Sequence, residues 1–255
     1  MKLGLQLFTL IDTMRGPDGL RTVLRQAADA GYDGVEFAGF YGLSPEEIRA
    51  ELDALHLEAA GIHLGWAPMT WDDLTRDPLA VIRTAQTIGT RNVVVASYPG
   101  KTRAEWEAFG AQLAHYGRIF RENGMRLGYH NHRTEAKEMD GKPIIDWIFD
   151  QCPAEDVFWE LDPRHIQVAG GDPVAFAARY CGRLPLVHMR DFAVQTGPDT
   201  ADDCAVGDGV VDIPGVIRAS GAHDWLIVEE TCCPDILAHI RRSAEFLRGE
   251  MAREK

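Results

Sequence analysis

Short apolar runs rich in β-branched and aromatic residues alternate with longer amphipathic segments along all 255 residues. Runs of this length between turn residues predict β-strands, and apolar residues spaced three and four apart predict helices. Right-handed crossovers close eight parallel strands around a filled interior, which favours a single (β/α)8 TIM barrel domain over residues 1–255. The eight predicted strands are 2–8, 34–37, 58–63, 92–96, 126–130, 157–161, 184–189 and 225–228.

Two of the intervening helices have recognisable starts. Ser44 is followed by a proline and by Glu47, and Thr102 is followed by Glu105. A serine or threonine with glutamate three residues later is the pattern of a capping box. The second of these helices is predicted to stop at Asn123, where a glycine follows.

An open, doubly wound sheet is the alternative architecture for such an alternation. Folds of that class usually carry a glycine-rich phosphate loop after the first strand. The residues after Phe8 read TLIDTMRGPDG and contain no GxGxxG pattern. The barrel is therefore favoured.

Composition argues against several classes of partner. The net charge of −13 disfavours nucleic acid, because no basic cluster offsets it. No uninterrupted apolar stretch reaches the roughly 18 residues of a membrane span. Five cysteines without CxxC spacing indicate neither a disulfide framework nor a zinc knuckle, and no signal-peptide pattern is found. A cytoplasmic location is expected.

Polar side chains cluster where the predicted strands end. The run 125–132 ends in His130 and His132, and their spacing places both on one side of an extended backbone. Catalytic residues of (β/α)8 barrels lie at this carboxyl-terminal face. The other polar strand-end residues are Glu36, His63, Glu160, Asp162, His188, Arg190, Glu229 and Glu230.

The types and spacing of these residues favour a divalent cation. Glu160 and Asp162 share a face, and two carboxylates inside a narrow barrel repel unless a cation or a proton lies between them. Salt bridges to Arg164 and Arg190 are the alternative explanation. Carboxylates combined with the imidazole of His188 match Mn²⁺, Co²⁺, Zn²⁺ or Mg²⁺.

The chain resembles the sugar phosphate isomerase/epimerase superfamily of xylose isomerase-like barrels, which includes tagatose epimerases, inosose dehydratases and endonuclease IV. The resemblance covers nearly the whole chain. It is carried by GYDGVEFAGFYG at 31–42, GYHNHRTE at 128–135, WELDPRHIQVAGGDP at 159–173, LPLVHMRDF at 184–192, GDGVVDIPGVI at 207–217 and WLIVEE at 225–230.

The resemblance implies a metal held by Asp162, His188 and Glu229. The epimerases draw a fourth ligand from a glutamate at the end of the fifth strand, where this chain has His130, with Glu135 a few residues further on. Glu135 is favoured as that ligand, and His130 remains the alternative. The residues expected to move protons are Glu135, Glu229 and His130, and those expected to bind substrate are Glu36, His63, His132, His165 and Arg190.

The implied function is that of a metal-dependent sugar isomerase or epimerase, which abstracts the proton next to a carbonyl through a metal-stabilised enediolate. A keto-sugar or keto-inositol dehydratase is the alternative, since GYHNH resembles members that act on keto-sugars. An AP endonuclease is disfavoured because it needs further histidine ligands and a basic groove. A non-catalytic sugar-binding barrel is disfavoured by the intact Asp162, His188 and Glu229. The expected partner is a small sugar or keto-sugar, and a homo-oligomer is compatible with the sequence.

Overall fold

The computed structural model describes residues 1–66, 69–197, 200–221, 223–231 and 234–253. Within these residues, eight parallel strands close into a barrel. Numbered along the chain, they are β1 (Lys2–Gln6), β2 (Gly34–Phe37), β3 (Glu58–Leu64), β4 (Asn92–Val95), β5 (Arg126–His130), β8 (Val157–Leu161), β9 (Leu186–Met189) and β12 (Trp225–Val228). Around the barrel they follow the order β1, β12, β9, β8, β5, β4, β3 and β2.

Helices connect successive barrel strands and pack around them, which confirms the predicted (β/α)8 class. They are α1 (Gly16–Asp29), α2 (Pro45–Leu55), α3 (Trp71–Arg76), α4 (Pro78–Ile88), α5 (Arg103–Glu122), α6 (Arg133–Ala136), α7 (Ile144–Phe149), α8 (Pro163–Val168), α9 (Pro173–Arg179), α10 (Ile213–Ser220) and α11 (Ile236–Arg253). Among the described helices, none combines the length and apolar character needed to cross a membrane.

The predicted helix starts are confirmed in atomic detail. Oγ of Ser44 accepts a hydrogen bond from the backbone N–H of Glu47 over 3.2 Å, and Oε2 of Glu47 accepts one from the N–H of Ser44 over 2.9 Å. Thr102 and Glu105 form the same reciprocal pair at the start of α5. That helix ends at Glu122, and Asn123 is its C-cap, as predicted.

The first strand is shorter than predicted. It ends at Gln6, where Oε1 accepts a hydrogen bond from the N–H of Phe8 over 3.0 Å and starts a 3-10 turn over Leu7–Leu10. A glutamine cap at a strand end is not a pattern that hydrophobic alternation can reveal.

Two small antiparallel pairs were not predicted. One joins β6 (Glu138–Met139) to β7 (Lys142–Pro143), and the other is a hairpin of β10 (Asp191–Gly197) and β11 (Thr200–Cys204). The hairpin directly follows β9, so it begins at the carboxyl-terminal face of the barrel. It brings residues that are distant in sequence from the predicted strand ends, such as Asp203, next to the candidate site.

The barrel interior is apolar at one level and polar at the next. A layer of buried apolar side chains comprises Ala60, Val94, Phe158, Leu186, Trp225 and Ile227. Side chains two residues apart on a strand face the same side. Glu160 therefore follows Phe158 on the same side of β8, and His188 follows Leu186 on the same side of β9. A polar layer thus lies next to the apolar layer, on the side of the carboxyl ends of the strands.

Candidate functional site

Four side chains from neighbouring strands converge at the carboxyl-terminal face of the barrel. His130 ends β5, Asp162 follows β8, His188 lies on β9 and Glu229 follows β12. Each offers one ligand atom, and these four atoms lie within 4.8 Å of one another. All four residues are buried. We call this group the mouth cluster.

Glu229 and His188 contact each other within the mouth cluster. Nδ1 of His188 lies 3.1 Å from Oε2 of Glu229. Burial opposes ionisation of Glu229, but the charges of Arg190 and His188 outweigh it and hold the pKa of Glu229 well below its usual value. The carboxylate is therefore ionised and available to a cation.

Asp162 is positioned by the start of α8 and by Asn131. Its Oδ1 caps the helix by accepting a hydrogen bond from the N–H of His165 over 3.1 Å. Oδ1 of Asn131 accepts from the N–H of Asp162 over 2.8 Å and from Nε1 of Trp159 over 2.9 Å. Burial raises the pKa of Asp162. A buried carboxylate whose ionised form is disfavoured is one that a cation would stabilise.

Arg190 is a buried cation beside the mouth cluster. Its Nη1 lies 3.3 Å from Oε2 of Glu229 and 3.5 Å from Oδ2 of Asp162. The same Nη1 lies 3.3 Å from Nε2 of His165. Burial and the charge of Arg190 hold the pKa of His165 well below its usual value, so the ring is neutral. Nδ1 of His165 is buried and has no hydrogen-bond partner among the described residues.

Three histidines line the approach to the mouth cluster. The ring centroids of His130 and His132 are 5.0 Å apart, and those of His132 and His165 are also 5.0 Å apart. His132 is only half buried, whereas the other two are buried. A cavity of about 250 Å³ adjoins His132 and is lined by Ser97, Tyr98 and the segment 132–135.

A second group shares His188 with the mouth cluster, and its Glu160 lies 3.1 Å from Nδ1 of His130. Oε2 of Glu36 is 3.1 Å from Nε2 of His63 and 2.9 Å from Nε2 of His188. Oε2 of Glu160 is 2.6 Å from Nε2 of His63 and 3.2 Å from Nε2 of His188. Oxygen and nitrogen atoms thus alternate around a closed ring of four. We call Glu36, His63, Glu160 and His188 the inner ring.

The inner ring is strongly coupled electrostatically. Burial opposes the charged form of each member, but the attraction between opposite charges outweighs it. The pKa of His63 is raised to about 10 by Glu36 and Glu160, and that of Glu160 is lowered to about 2, with His188 and His63 as the main partners that lower it. Glu36 also accepts a hydrogen bond from Nε2 of Gln6 over 2.7 Å.

Comparison with known proteins identifies the family. A family model described as a xylose isomerase-like TIM barrel matches residues 24–250. The chain belongs to the xylose isomerase-like TIM barrel family. This confirms the resemblance drawn from the sequence motifs.

Two curated relatives match most of this xylose isomerase-like barrel. The chain is 27% identical to the rhizopine catabolism protein MocC of Rhizobium meliloti, over 95% of this chain and 84% of that protein. It is 26% identical to the inosose dehydratase of Lacticaseibacillus casei, over 83% of each.

Solved structures of the same fold superimpose along almost the whole chain. A sugar phosphate isomerase/epimerase from Parabacteroides distasonis has a TM-score of 0.79 at 20% identity, covering 97% of this chain and 93% of that one. The IOLI protein, crystallised with a bound zinc atom, has a TM-score of 0.76 at 14% identity, covering 99% of each chain. At these identities the likeness concerns the fold.

Glu135 is placed differently from the other predicted ligands of this xylose isomerase-like barrel. It lies in the first turn of α6, where its carboxylate accepts hydrogen bonds from the hydroxyl of Tyr129 and from the N–H of His132, the latter over 3.0 Å. Among the described residues, neither the mouth cluster nor any other group able to hold a metal includes Glu135. The reason is local: a glutamate three residues after the N-cap folds back onto the helix start.

Sequence reasoning missed Asn131 and Asp203. Asn131 directly follows β5, between His130 and His132, and its side chain points away from theirs towards Trp159. The sequence pattern gives no sign that such a residue differs from an ordinary core residue. Asp203 comes from the unpredicted β11, 13 residues after Arg190, and its Oδ2 accepts a hydrogen bond from Nη2 of Arg190 over 2.9 Å. Because the hairpin was not predicted, Asp203 did not stand at the end of any predicted strand and could not be recognised.

Proposed function

We propose that this chain is a divalent-metal-dependent enzyme that removes the proton next to the carbonyl group of a keto-sugar or keto-inositol. The convergence of His130, Asp162, His188 and Glu229 is the observation that supports it most. Two imidazole nitrogens and two carboxylate oxygens suit Zn²⁺, Mn²⁺ or Co²⁺ better than Mg²⁺, which prefers oxygen ligands. When bound, such an ion supplies a Lewis acid that stabilises negative charge on a carbonyl oxygen.

His130, rather than Glu135, is the proposed fourth ligand. His130 lies in the mouth cluster, whereas both carboxylate oxygens of Glu135 accept hydrogen bonds from Tyr129 and His132. Releasing Glu135 towards a cation would leave the buried hydroxyl of Tyr129 without that acceptor. An imidazole at the end of β5 needs no such rearrangement.

Arg190 and His165 are proposed to bind substrate oxygen atoms. Nε2 of His165 accepts from Arg190, so the single ring proton of the neutral imidazole lies on Nδ1. That buried N–H is a donor without a partner in the described protein, and a hydroxyl or carbonyl oxygen of the substrate would satisfy it. A polyhydroxylated ligand fits such a site.

His132 is proposed to move the proton, with Glu229 facing the reacting carbons from the side of β12. His132 is half buried, lies between His130 and His165, and lines the adjoining cavity. Glu135 supports this placement, since its Oε2 accepts from the backbone N–H of His132. Glu135 would therefore act by holding the segment and not by touching substrate.

Dehydration is the proposed outcome. Removal of the proton next to the carbonyl, followed by departure of the hydroxyl on the next carbon as water, yields an enone without an external oxidant or reductant. The inosose dehydratase relative at 26% identity favours this outcome. Isomerisation or epimerisation is the second candidate, because His132 and Glu229 approach the pocket from different strands and could remove and return a proton on different sides.

The decisive experiment incubates the zinc- or manganese-loaded protein with keto-inositols and ketoses in D₂O. Dehydration is expected to produce enone absorbance together with loss of one water mass. Epimerisation or isomerisation would instead give deuterium at one carbon of an isomer of unchanged composition. Neither signal with any substrate, in a protein shown to hold metal, would refute the proposal.

A further inference from the structure

We infer that Glu36, His63 and Glu160 are positioning residues that hold the Nε2–H of His188, so that only Nδ1 of His188 faces the metal. The inference rests on the metal centre proposed above. It assigns to Glu36 and His63 a role other than the substrate binding expected from sequence.

The two nitrogens of His188 have different surroundings. Nε2 lies 2.9 Å from Oε2 of Glu36 and 3.2 Å from Oε2 of Glu160. Nδ1 faces Oε2 of Glu229 in the mouth cluster over 3.1 Å. Carboxylates bound to one ring nitrogen hold its proton there, so a cation that displaces the proton of the other nitrogen binds that nitrogen's lone pair.

His63 makes this arrangement possible. Two carboxylate oxygens that converge on one nitrogen repel each other, and Nε2 of His63 lies between them at 3.1 and 2.6 Å. The rings of His63 and His188 are parallel, with an interplanar angle of 1° and centroids 5.5 Å apart. His63 thus closes the inner ring from the side opposite His188.

Contacts, and not burial, distinguish these residues from the mouth cluster. Glu36 and Glu160 have no solvent exposure and His63 is 4% exposed, but Asp162 and His188 are fully buried as well. The three residues meet one another and Nε2 of His188, whereas Glu229 meets Nδ1. A substrate at the mouth would meet the half-buried His132 first.

A second cation within the inner ring is the competing explanation. Atoms of His63, His130, Glu160 and His188 also lie within 4.8 Å of one another. However, His188 would then have to bind one ion through Nε2 and another through Nδ1, which requires an imidazolate. Two of the four ring contacts are hydrogen bonds, between His63 and Glu160 over 2.6 Å and between His188 and Glu36 over 2.9 Å, and they already satisfy the Nε2–H of each histidine.

The first test locates the ring proton of His188. In zinc-loaded protein with ¹⁵N-labelled histidine, long-range ¹⁵N–¹H NMR should show His188 protonated at Nε2 and metal-bound at Nδ1, with one zinc per chain. A proton on Nδ1, or two zinc ions per chain, would overturn the inference. If the wild-type protein binds no zinc, the proposed metal centre fails. The inference is still tested in that protein, since an unprotonated Nε2 would overturn it.

The second test removes one ring carboxylate. Glu36→Gln and Glu160→Gln should each weaken zinc binding by about 10- to 100-fold, measured by competition with a chromophoric chelator. Asp146→Asn is the matched control, because Asp146 is also buried and its Oδ1 accepts from the hydroxyl of Tyr180 over 2.5 Å. The control should leave zinc affinity unchanged. Unchanged affinity in both ring variants would overturn the inference, and if neither folds, the NMR measurement on the wild-type protein decides.

Discussion

Arg190 and Asp203 form a buried ion pair of 2.9 Å that ties the β10–β11 hairpin to the mouth of the barrel. Asp203 also accepts hydrogen bonds from Nε of Arg164 over 2.8 Å and from the N–H of Thr231 over 3.1 Å. One carboxylate therefore joins the hairpin, α8 and the loop after β12. It also fixes the guanidinium group of Arg190, whose Nη1 lies 3.3 Å from Oε2 of Glu229.

Asp203→Asn should reduce both stability and activity. The amide removes the negative charge that balances two buried arginines, and breaking such a pair costs about 3 kcal/mol. The free energy of unfolding by urea measures the first effect, and metal-loaded turnover measures the second. Asp208→Asn is the control, since the pair of Asp208 with Arg242 is exposed. The control should change stability by less than about 1 kcal/mol. Equal effects of the two variants would contradict the proposed role of Asp203.

Asp162→Asn should abolish tight metal binding without unfolding the barrel. Asparagine is as good an N-cap as aspartate, so the start of α8 is kept while the ligand charge is lost. Asp172→Asn is a closely matched control, because Asp172 likewise caps a short helix that begins with proline. Zinc titration should separate the two variants, and similar thermal melting should show that both fold. Full zinc affinity in Asp162→Asn would refute the coordination.

Asn131→Ala should destabilise the protein and displace Asp162. The variant leaves Nε1 of Trp159 and the N–H of Asp162 buried without an acceptor, at a cost of about 1–3 kcal/mol for each group. Urea unfolding should show the loss of stability, and zinc titration should show weaker binding. Loss of stability with unchanged zinc affinity would mean that Asn131 supports the fold alone.

The barrel and most of its strand-end residues could be predicted because both follow from periodicity. Alternation gives the strands, and parallel strands bring their carboxyl ends together, as Asp162, His188 and Glu229 show. Depth within the barrel could not be predicted in this way. Glu160 and Asp162 share a face, yet one lies in the inner ring and the other in the mouth cluster.

The sequence pattern also could not predict in which direction a side chain beyond a strand end points. Whether His130 or Glu135 joins the mouth cluster depends on the first turn of α6, where Glu135 folds back onto the N–H of His132. The partner of Arg190 comes from a hairpin that the sequence pattern did not indicate. These contacts depend on how separate segments pack, which local patterns do not encode.

Asp33→Asn should lower stability at neutral pH but not in acid. Asp33 accepts hydrogen bonds from Arg248 over 2.7 Å and from the N–H of Leu3 over 2.8 Å. Burial opposes these contacts, but they outweigh it and lower the pKa of Asp33 from 3.8. A lowered pKa gives stability that is present above pH 3.8 and is lost as the pH falls through the value in the folded protein.

The half-exposed position of Asp33 limits the expected loss to about 1 kcal/mol at pH 7. Urea unfolding at pH 7 and at several lower pH values should show the wild-type and Asp33→Asn curves converging as the pH drops below 3.8. A difference that persists undiminished in acid would contradict the ionic origin of this contribution.

Gly61→Ala should disturb the inner ring although Gly61 itself carries no functional group. A methyl group at this position would lie 2.6 Å from Oε1 of Glu36, which is closer than real contacts allow. Glu36 cannot swing aside freely, because its other oxygen is held by Gln6, His63 and His188. The variant should therefore weaken zinc binding together with stability.

Gly249→Ala is the control for the same change of residue. Gly249 lies within α11, and apart from the backbone of its own helix no described residue lies within 4 Å of the position that a methyl group would take. This control should be neutral or should raise the free energy of unfolding by up to about 1 kcal/mol, since alanine favours helix. Zinc titration and urea unfolding of both variants make the comparison. If Gly61→Ala binds zinc as tightly as wild type, then Glu36 has enough freedom to move, and the rigidity ascribed to the inner ring is wrong.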